Sequence, residues 1–422
     1  MIAERSPMGW NSWDCYGASV TEDIVRGNAE YMAKNLKKYG WEYIVVDIQW
    51  YEPTADSHDY HPFTELCMDE YSRLIPAENR FPSSSGGKGF SVLAEYVHSL
   101  GLKFGIHIMR GIARQAVHRN TPLLGTERTA RQIAARDSVC HWNTDMYGVD
   151  TAAEGAQEYY NSIFSLYASW GVDLVKIDDI ANHYPEAEIE MINRAARSSG
   201  RDMVLSLSPG PAPIEKAEHL KQYANMWRIT DDFWDKWELL YDMFRRAETW
   251  CTHSGAGHWP DADMLPVGAI LQDYSAENRT KFTEDEQKTM MTLWSIMRSP
   301  LMIGGELTKC DEFTLSLLTN IYILEMHSDS RSAHQVFRRM IGKNEIILWR
   351  ADRGAYRNGG GSYIAVFNAG ETSAEVDIPL IECGIETPVT SFTEMWTQER
   401  ADNVSALHAV IPPHGARAYF AD

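Results

Sequence analysis

A repeating order runs through the first three quarters of the chain: a short apolar run, a longer amphipathic stretch, a glycine, and the next apolar run. Such punctuation is what αβ loops leave in a sequence, because a helix that must hand the chain back to a strand commonly stops on glycine. The strand candidates are Met8–Trp13, Tyr43–Asp47, Lys103–Ile108, Asp173–Asp178, Met203–Ser208, Met226–Thr230, His258–Met264 and Pro300–Ile303. Runs such as Tyr43-Ile44-Val45-Val46 are apolar at every position, as expected where both faces of a parallel strand are covered. Helical periodicity falls on Thr21–Tyr39, which opens with a capping pattern at Thr21, and on Phe90–Leu100, Ala152–Trp170, Pro185–Ser198 and Glu284–Met297. Eight strands with intervening helices predict a (β/α)8 TIM barrel over residues 1–332. A doubly wound sheet is the alternative, but no Gly-rich phosphate loop follows the first strand. Two connections, Tyr51–Gly89 and Met109–Asp150, are longer than structureless loops usually are, and both follow strands. They therefore reach the barrel face on which such folds build their sites.

After about Ala333 the pattern changes. Gln335–Phe337, Glu345–Trp349, Ser362–Asn368, Ser373–Ile378, Val389–Glu394 and Ala406–Ile411 are short strand-like runs broken by Gly, Pro and Asn. They predict a C-terminal antiparallel β-sandwich domain over residues 333–422.

Charge narrows the partners. A formal net charge of −20 repels nucleic acid and anionic membrane surfaces, and leaves a neutral small ligand unopposed. No apolar run is long enough to span a bilayer and the N-terminus has no signal-like apolar segment, so the expected location is cytoplasmic. The six cysteines show no CxxC pair, which points to free thiols in a reducing compartment. His58 with His61, and His327 with His334, lack the spacing and third ligand of a metal site, so neither metal nor cofactor is expected. A homo-oligomer is compatible with the sequence.

Polar and mostly acidic residues recur at the strand ends: Asp47, Lys176 and Asp178, Ser208, Arg228 with Asp231 and Asp232, and Asp261 with Asp263. A single aspartate there is ordinarily a turn residue or helix cap, the role assigned to Asp179 and Asp231. Carboxylates at the ends of several strands of one barrel converge on one mouth. Glycoside hydrolysis needs such a pair: one carboxyl protonates the leaving oxygen, and in a retaining enzyme a second, about 5–5.5 Å away, attacks the anomeric carbon. Lys176 stands two residues before Asp178, so both side chains face one way on a strand. With Arg228 it would keep Asp178 ionised.

At these residues the chain resembles glycoside hydrolase family 27, the α-galactosidases and α-N-acetylgalactosaminidases, as a divergent bacterial-type member. The similarity lies in Met8-Gly9-Trp10-Asn11-Ser12-Trp13, Asp47-Ile48-Gln49-Trp50, Arg80-Phe81-Pro82, Trp170 through Asp178, Arg228-Ile229-Thr230-Asp231-Asp232 and Pro260-Asp261-Ala262-Asp263-Met264-Leu265. The resemblance implies Asp178 as nucleophile and Asp232 as general acid/base, Trp13 as a wall of the sugar subsite, and Asp47, Lys176, Arg228 and Asp263 as hydroxyl-binding residues. It implies a retaining exo-glycoside hydrolase releasing a terminal α-galactoside or α-N-acetylgalactosaminide from a small carbohydrate substrate.

Departures fall on the substrate. Family members usually carry two adjacent aspartates after the second strand, and the second position here is Ile48; the family's pocket tyrosine corresponds to His107. An apolar side chain in place of a hydroxyl-binding carboxylate leaves a sugar hydroxyl unpaired, at about 1–3 kcal/mol. Either Gln49 or a loop residue compensates, or the sugar lacks that hydroxyl, as β-L-arabinopyranose lacks the exocyclic O6. Core filling is the plainer reading of Ile48. Ser208-Pro209-Gly210-Pro211-Ala212 resembles the arrangement that leaves room for an acetamido group, or is simply a turn of altered shape. His141 and Trp142, in the second long connection, are further candidates for contact with a sugar. Three hypotheses follow: an α-galactosidase or α-N-acetylgalactosaminidase, a β-L-arabinopyranosidase, and a non-catalytic carbohydrate-binding barrel.

Overall fold

The computed structural model describes residues 1–354, 360–385 and 389–421. Eight short strands, β1 Met8–Asn11, β2 Tyr43–Val46, β3 Lys103–Met109, β4 Leu174–Asp178, β5 Val204–Leu207, β6 Met226–Arg228, β7 Trp259–Asp261 and β8 Leu301–Ile303, form one parallel sheet. Its order is β7-β6-β5-β4-β3-β2-β1-β8, and Leu265, just beyond β7, bridges Ile303 in parallel to close the ring. The closed order removes the doubly wound alternative. Seven strands lie within the runs their apolar pattern predicts, several of them trimmed by a few residues, and β3 runs one residue beyond its run, to Met109.

Consecutive apolar residues are needed because each strand has two buried faces. Tyr43, Val45, Leu174, Val204, Met226 and Met302 pack inside the barrel. Trp10, Ile44, Val46, Ile106, Val175, Ile177, Leu205 and Ile303 point outward into the core shared with the helices. Interior space is tight at two glycines: a Cβ on Gly9 would lie 2.5 Å from the Tyr43 carbonyl oxygen, and one on Gly105 would lie 2.9 Å from a Val45 methyl. Their missing side chains let the larger Tyr43, Val45 and Leu174 fill the barrel.

Helices α1 Glu22–Asn35, α2 Ser91–Ser99, α3 Ala156–Trp170, α4 Glu186–Ser198, α5 Ala217–Tyr223, α6 Trp237–Trp250 and α7 Glu284–Met297 follow successive strands, and α8 Glu312–Leu318 and α9 Ile321–Asp329 follow β8. α3 stops at Gly171, which adopts a left-handed φ of 83° and donates back to Ala168 and Tyr167. The cap expected at Thr21 does not form; the Glu22 carboxylate instead accepts from Arg26 at 2.7 Å and from the Ser83 amide at 2.9 Å. The apolar pattern passed over α5, α6, α8 and α9. α6 is nonetheless amphipathic, burying Leu240, Met243, Phe244, Ala247 and Trp250.

The second long connection is more ordered than its sequence suggests: Ile112–Ala113, Ala134–Val139 and Met146–Val149 make a three-stranded antiparallel sheet with Met146–Val149 in the middle. The first long connection is latched at its base by Arg80. This buried guanidinium donates to the carbonyls of Gln49 (2.7 Å), Glu52 (2.9 Å) and Val20 (2.7 Å), and to that of Ala18, tying the segments after β1 and β2 together.

Beyond the barrel, β9 Ser330–Ile341, β10 Asn344–Arg353, β11 Ser362–Asn368, β12 Ala374–Pro379, β13 Val389–Glu394, β14 Arg400–Val404, β15 Ala406–Ile411 and β16 Ala416–Ala421 form two antiparallel sheets, β9-β10-β11-β16-β13-β14 and β12-β15. Ile346, Leu348, Ile364, Val366, Val376, Ile378, Leu407 and Ile411 fill the space between them. The sequence pattern missed β14, whose Arg400-Ala401-Asp402-Asn403 is exposed, and β16, whose small alanines weaken the signal. α7 is buried almost all round because this sheet covers the side turned away from the barrel. His414 stacks on Trp237 of α6 at 3.7 Å and bonds Glu286 of α7 at 2.8 Å, while Phe244 meets Phe367 edge to face. All six cysteines are unpaired. Among the described residues no helix is long and apolar enough to cross a membrane.

Gly9→Ala should lower unfolding stability by about 1–3 kcal/mol, since the extra methyl has no space in a full barrel interior. An unshifted urea midpoint, followed by tryptophan fluorescence, would show that the interior has slack.

Candidate active site

Lys176 and Asp178 lie on β4, and Lys176 pairs in register with His107 of β3, which brings their side chains to the barrel mouth side by side. Burying an ammonium here requires a counter-charge, and Asp47 supplies it: its Oδ2 accepts from Lys176 Nζ at 2.8 Å and from Asn11 Nδ2 at 2.7 Å. The Asp47 Oδ1 accepts from the Ile48 amide at 2.8 Å, and the Asp47 amide donates to Ser12 Oγ at 2.9 Å. Burial would raise the Asp47 pKa, yet Lys176 and His107 hold it well below the carboxylate range. Lys176 in turn is pushed up: burial disfavours its charge, and Asp47 more than offsets that.

Asp178 ends β4. Its Oδ2 accepts from His107 Nε2 at 2.9 Å, and its Oδ1 accepts from Ser208 Oγ at 3.1 Å and from the Asp179 amide at 3.0 Å. Against the upward push of burial, the His107 hydrogen bond and the Lys176 charge lower its pKa. Asp232 has the opposite bias. It follows β6, its side chain is half open to solvent at 53% exposure, and Arg228 reaches its Oδ1 only at 3.4 Å. Its protein surroundings and the Asp178 charge push its pKa up, with Arg228 opposing. Arg228 spends its best geometry below, on Asp263 at 2.5 Å, and that aspartate is fixed by the Met264 and Phe233 amides.

These groups surround a cavity of about 340 Å³ lined by Trp13, Asp47, Ile48, Tyr60, His141, Trp142, Lys176, Asp178, Pro209, Asp231 and Asp232. Of the residues singled out in the sequence, Trp13, Asp47, Ile48, Lys176, Asp178 and Asp232 border the cavity, and His141 and Trp142 do too. His107, Ser208, Arg228 and Asp263 lie outside this lining, in contact with the residues that form it or with one another. Gln49 does not reach the cavity: its amide nitrogen donates to Asp145 at 2.8 Å. Asp179, at a left-handed φ of 59°, is held by Arg110 at 3.0 Å, a structural role close to the one expected.

Tyr60 was not anticipated. It stacks on Trp13 at 6.0 Å and 17° and tilts against Trp142 at 5.8 Å, making an aromatic rim. Its only trace in the sequence is an aromatic in a long connection without periodicity. Nor does sequence reveal that His58 fixes Trp13: its Nε2 bonds the Trp13 carbonyl at 2.8 Å and its Nδ1 meets Asp273 at 2.6 Å. His61 lies against Glu52 and Asp56, and His327 bonds the Ser299 carbonyl at 2.7 Å, burial lowering its pKa to about 4. Among the described residues no group of three His, Cys, Asp or Glu gathers in metal-binding geometry.

Comparison with known proteins gives the class. Residues 125–329 match the profile of a family described as alpha galactosidase A. A Coffea arabica α-galactosidase is 26% identical over 418 residues, 98% of this chain and 92% of its own length. Among solved structures, a β-L-arabinopyranosidase of glycoside hydrolase family 27 from Geobacillus stearothermophilus is 55% identical, with a TM-score of 0.95 over 100% of this chain and 97% of its own. A Bacillus halodurans protein provisionally assigned as an α-N-acetylgalactosaminidase is 52% identical, with a TM-score of 0.87 over 99% and 97% of the two chains. The chain is a glycoside hydrolase. It belongs to glycoside hydrolase family 27.

Replacing His107 by Phe removes the hydrogen bond that lowers Asp178, so the Asp178 carboxyl should titrate at higher pH. Carboxyl carbon chemical shifts followed against pH should show that rise; an unmoved midpoint would mean that Lys176 alone sets the ionisation.

Proposed function

We propose that this enzyme is a retaining exo-glycosidase that releases terminal β-L-arabinopyranose, with Asp178 as nucleophile and Asp232 as general acid/base. The observation that carries the sugar assignment is Ile48 in the cavity wall. The nearest polar candidate to replace a carboxylate there, Gln49, is turned onto Asp145. A pyranose with an exocyclic hydroxymethyl would present its O6 to the sec-butyl side chain of Ile48, at about 1–3 kcal/mol. β-L-Arabinopyranose keeps the galacto ring stereochemistry and has no such group. The 55% identity to a β-L-arabinopyranosidase supports the same reading, and a variant of that relative has been solved in complex with arabinose.

The two carboxyls are tuned in the directions that double displacement needs. Asp178, kept ionised by His107 and Lys176, attacks the anomeric carbon as the glycosidic C–O bond breaks. Asp232, kept protonated more readily, gives its proton to the departing oxygen. The resulting glycosyl–aspartate ester is opened by water. Asp232, now a carboxylate, takes the water proton as the oxygen bonds to the anomeric carbon and Asp178 leaves as carboxylate. Asp47 and Lys176 line the cavity where ring hydroxyls would lie, and Trp13 offers an apolar face for the sugar's C–H surface. Arg228, held by Asp263, acts on the sugar site through Asp232. The six unpaired thiols suit a reducing, cytoplasmic setting.

The second reading is an α-galactosidase or α-N-acetylgalactosaminidase, favoured by the provisional assignment of the Bacillus halodurans relative and by a small Ser208. That serine's hydroxyl is engaged by Asp178 rather than free for a substituent.

Nitrophenyl β-L-arabinopyranoside, α-D-galactopyranoside and α-N-acetyl-D-galactosaminide separate the readings: the first should show the highest kcat/KM. A galactoside or N-acetylgalactosaminide in first place would transfer the assignment to the second reading. Ile48→Asp should move the preference toward the galactoside by about tenfold or more. Asp178→Asn should lose at least about 10⁴-fold in kcat, whereas Asp232→Asn should recover much of its loss on substrates with an activated leaving group. A fully active Asp178→Asn enzyme would refute the mechanism.

A further inference from the structure

A second and larger cavity, of about 590 Å³, opens beside the catalytic one, and its walls carry Arg114, His118, Arg131, Arg136, Tyr147 and Phe63. In a chain of net charge −20, three arginines lining one cavity demand an explanation. Arginines on the same excursion that stand outside this cavity are paired: Arg119 meets Glu65 at 2.6 Å, and Arg128 bonds Glu154. Among the described residues none of the three inside forms an ion pair with a carboxylate.

Two of these guanidiniums are nonetheless held in place. Arg114 donates to the Thr144 carbonyl at 3.1 Å and lies 5.2 Å over the Tyr147 ring. Arg131 donates to the carbonyls of Val117 (3.3 Å) and His118 (2.9 Å). The one carboxyl in the wall, Asp145, is engaged by Gln49 at 2.8 Å, and burial pushes its pKa up, which weakens it as a counter-charge. Arg114 still feels the Asp145 charge, but no carboxylate lies within ion-pair distance of any of the three, and planar forks with spare N–H groups are suited to a planar oxyanion from outside.

The position of this cavity says where that oxyanion comes from. Tyr60, His141 and Trp142 border the catalytic cavity, while Phe63, Thr64, Thr144 and Asp145 border the arginine cavity. The two spaces therefore share a wall built from the same two stretches of chain. Phe63 stands at the outer rim with 90% of its surface exposed, an aromatic face free to receive a sugar ring. We propose that the arginine cavity is a subsite for a carboxylate carried by the glycan to which the cleaved sugar is attached, a uronic acid residue a short distance along the chain. The proposal rests on the glycosidase reading of the neighbouring cavity.

Titration calorimetry of the intact enzyme with a glucurono-oligosaccharide and its carboxyl-reduced counterpart isolates the carboxylate. At low salt the acidic probe should bind at least about fivefold more tightly than its neutral twin. Arg131→Gln combined with Arg136→Gln should abolish that advantage, and added salt should erode it. Both changes should leave kcat/KM for the neutral nitrophenyl glycoside within about twofold of the parent. Equal affinities for the two probes, or an advantage that survives the double substitution, would overturn the proposal. So would arginine-dependent binding of inorganic phosphate with no discrimination between the glycans, which would make this a phosphate site. An enzyme that cleaves none of the nitrophenyl glycosides would defeat the proposed function, and the calorimetric comparison would still decide the carboxylate subsite.

Discussion

An ammonium group sits at the mouth of the barrel, nearly buried, and its charge is held there chiefly by Asp47, 2.8 Å away. That pairing organises the mouth. Asp47 is held in turn by Asn11 and by the Ile48 amide, so residues on β1, after β2 and on β4 share one electrostatic knot. Lys176 has a second effect: its charge helps keep Asp178 ionised next to His107. On the other side of the cavity Arg228 is committed to Asp263, leaving Asp232 loosely held at 3.4 Å and biased toward its protonated form. Two chemically identical side chains thus acquire opposite tendencies from their neighbours alone.

The barrel was legible because its strands are buried on both faces and so read as unbroken apolar runs, and because helices such as α3 end on glycine. Elements were missed where that signal thins. β14 is exposed and polar, and β16 is built largely on alanine. The antiparallel sheet in the second connection hid in a stretch as polar as a loop, since Arg136, Asp137 and Ser138 leave it no alternation.

At the site, strand-end residues could be found because a strand dictates where its last side chains point. What sequence could not supply was which of them face open space. His107 and Ser208 bear on Asp178 rather than on the cavity, and Gln49 turns to Asp145. Tyr60 and the His58–Asp273 pair were invisible for the complementary reason: their positions depend on the folding of a long connection that has no periodicity to read.

The Arg80 latch has an evolutionary corollary. Its hydrogen bonds all go to main-chain oxygens, four of them, so they depend little on the identity of the residues they fasten. Between its anchor at Glu52 and Arg80 itself lies the stretch that carries Tyr60 and Phe63. That stretch can be rewritten, shortened or lengthened at its tip while its root stays clamped to the scaffold. New glycan preferences can thus be tried around Phe63 by variants that keep His58 and Tyr60, which bear on Trp13 and the catalytic cavity.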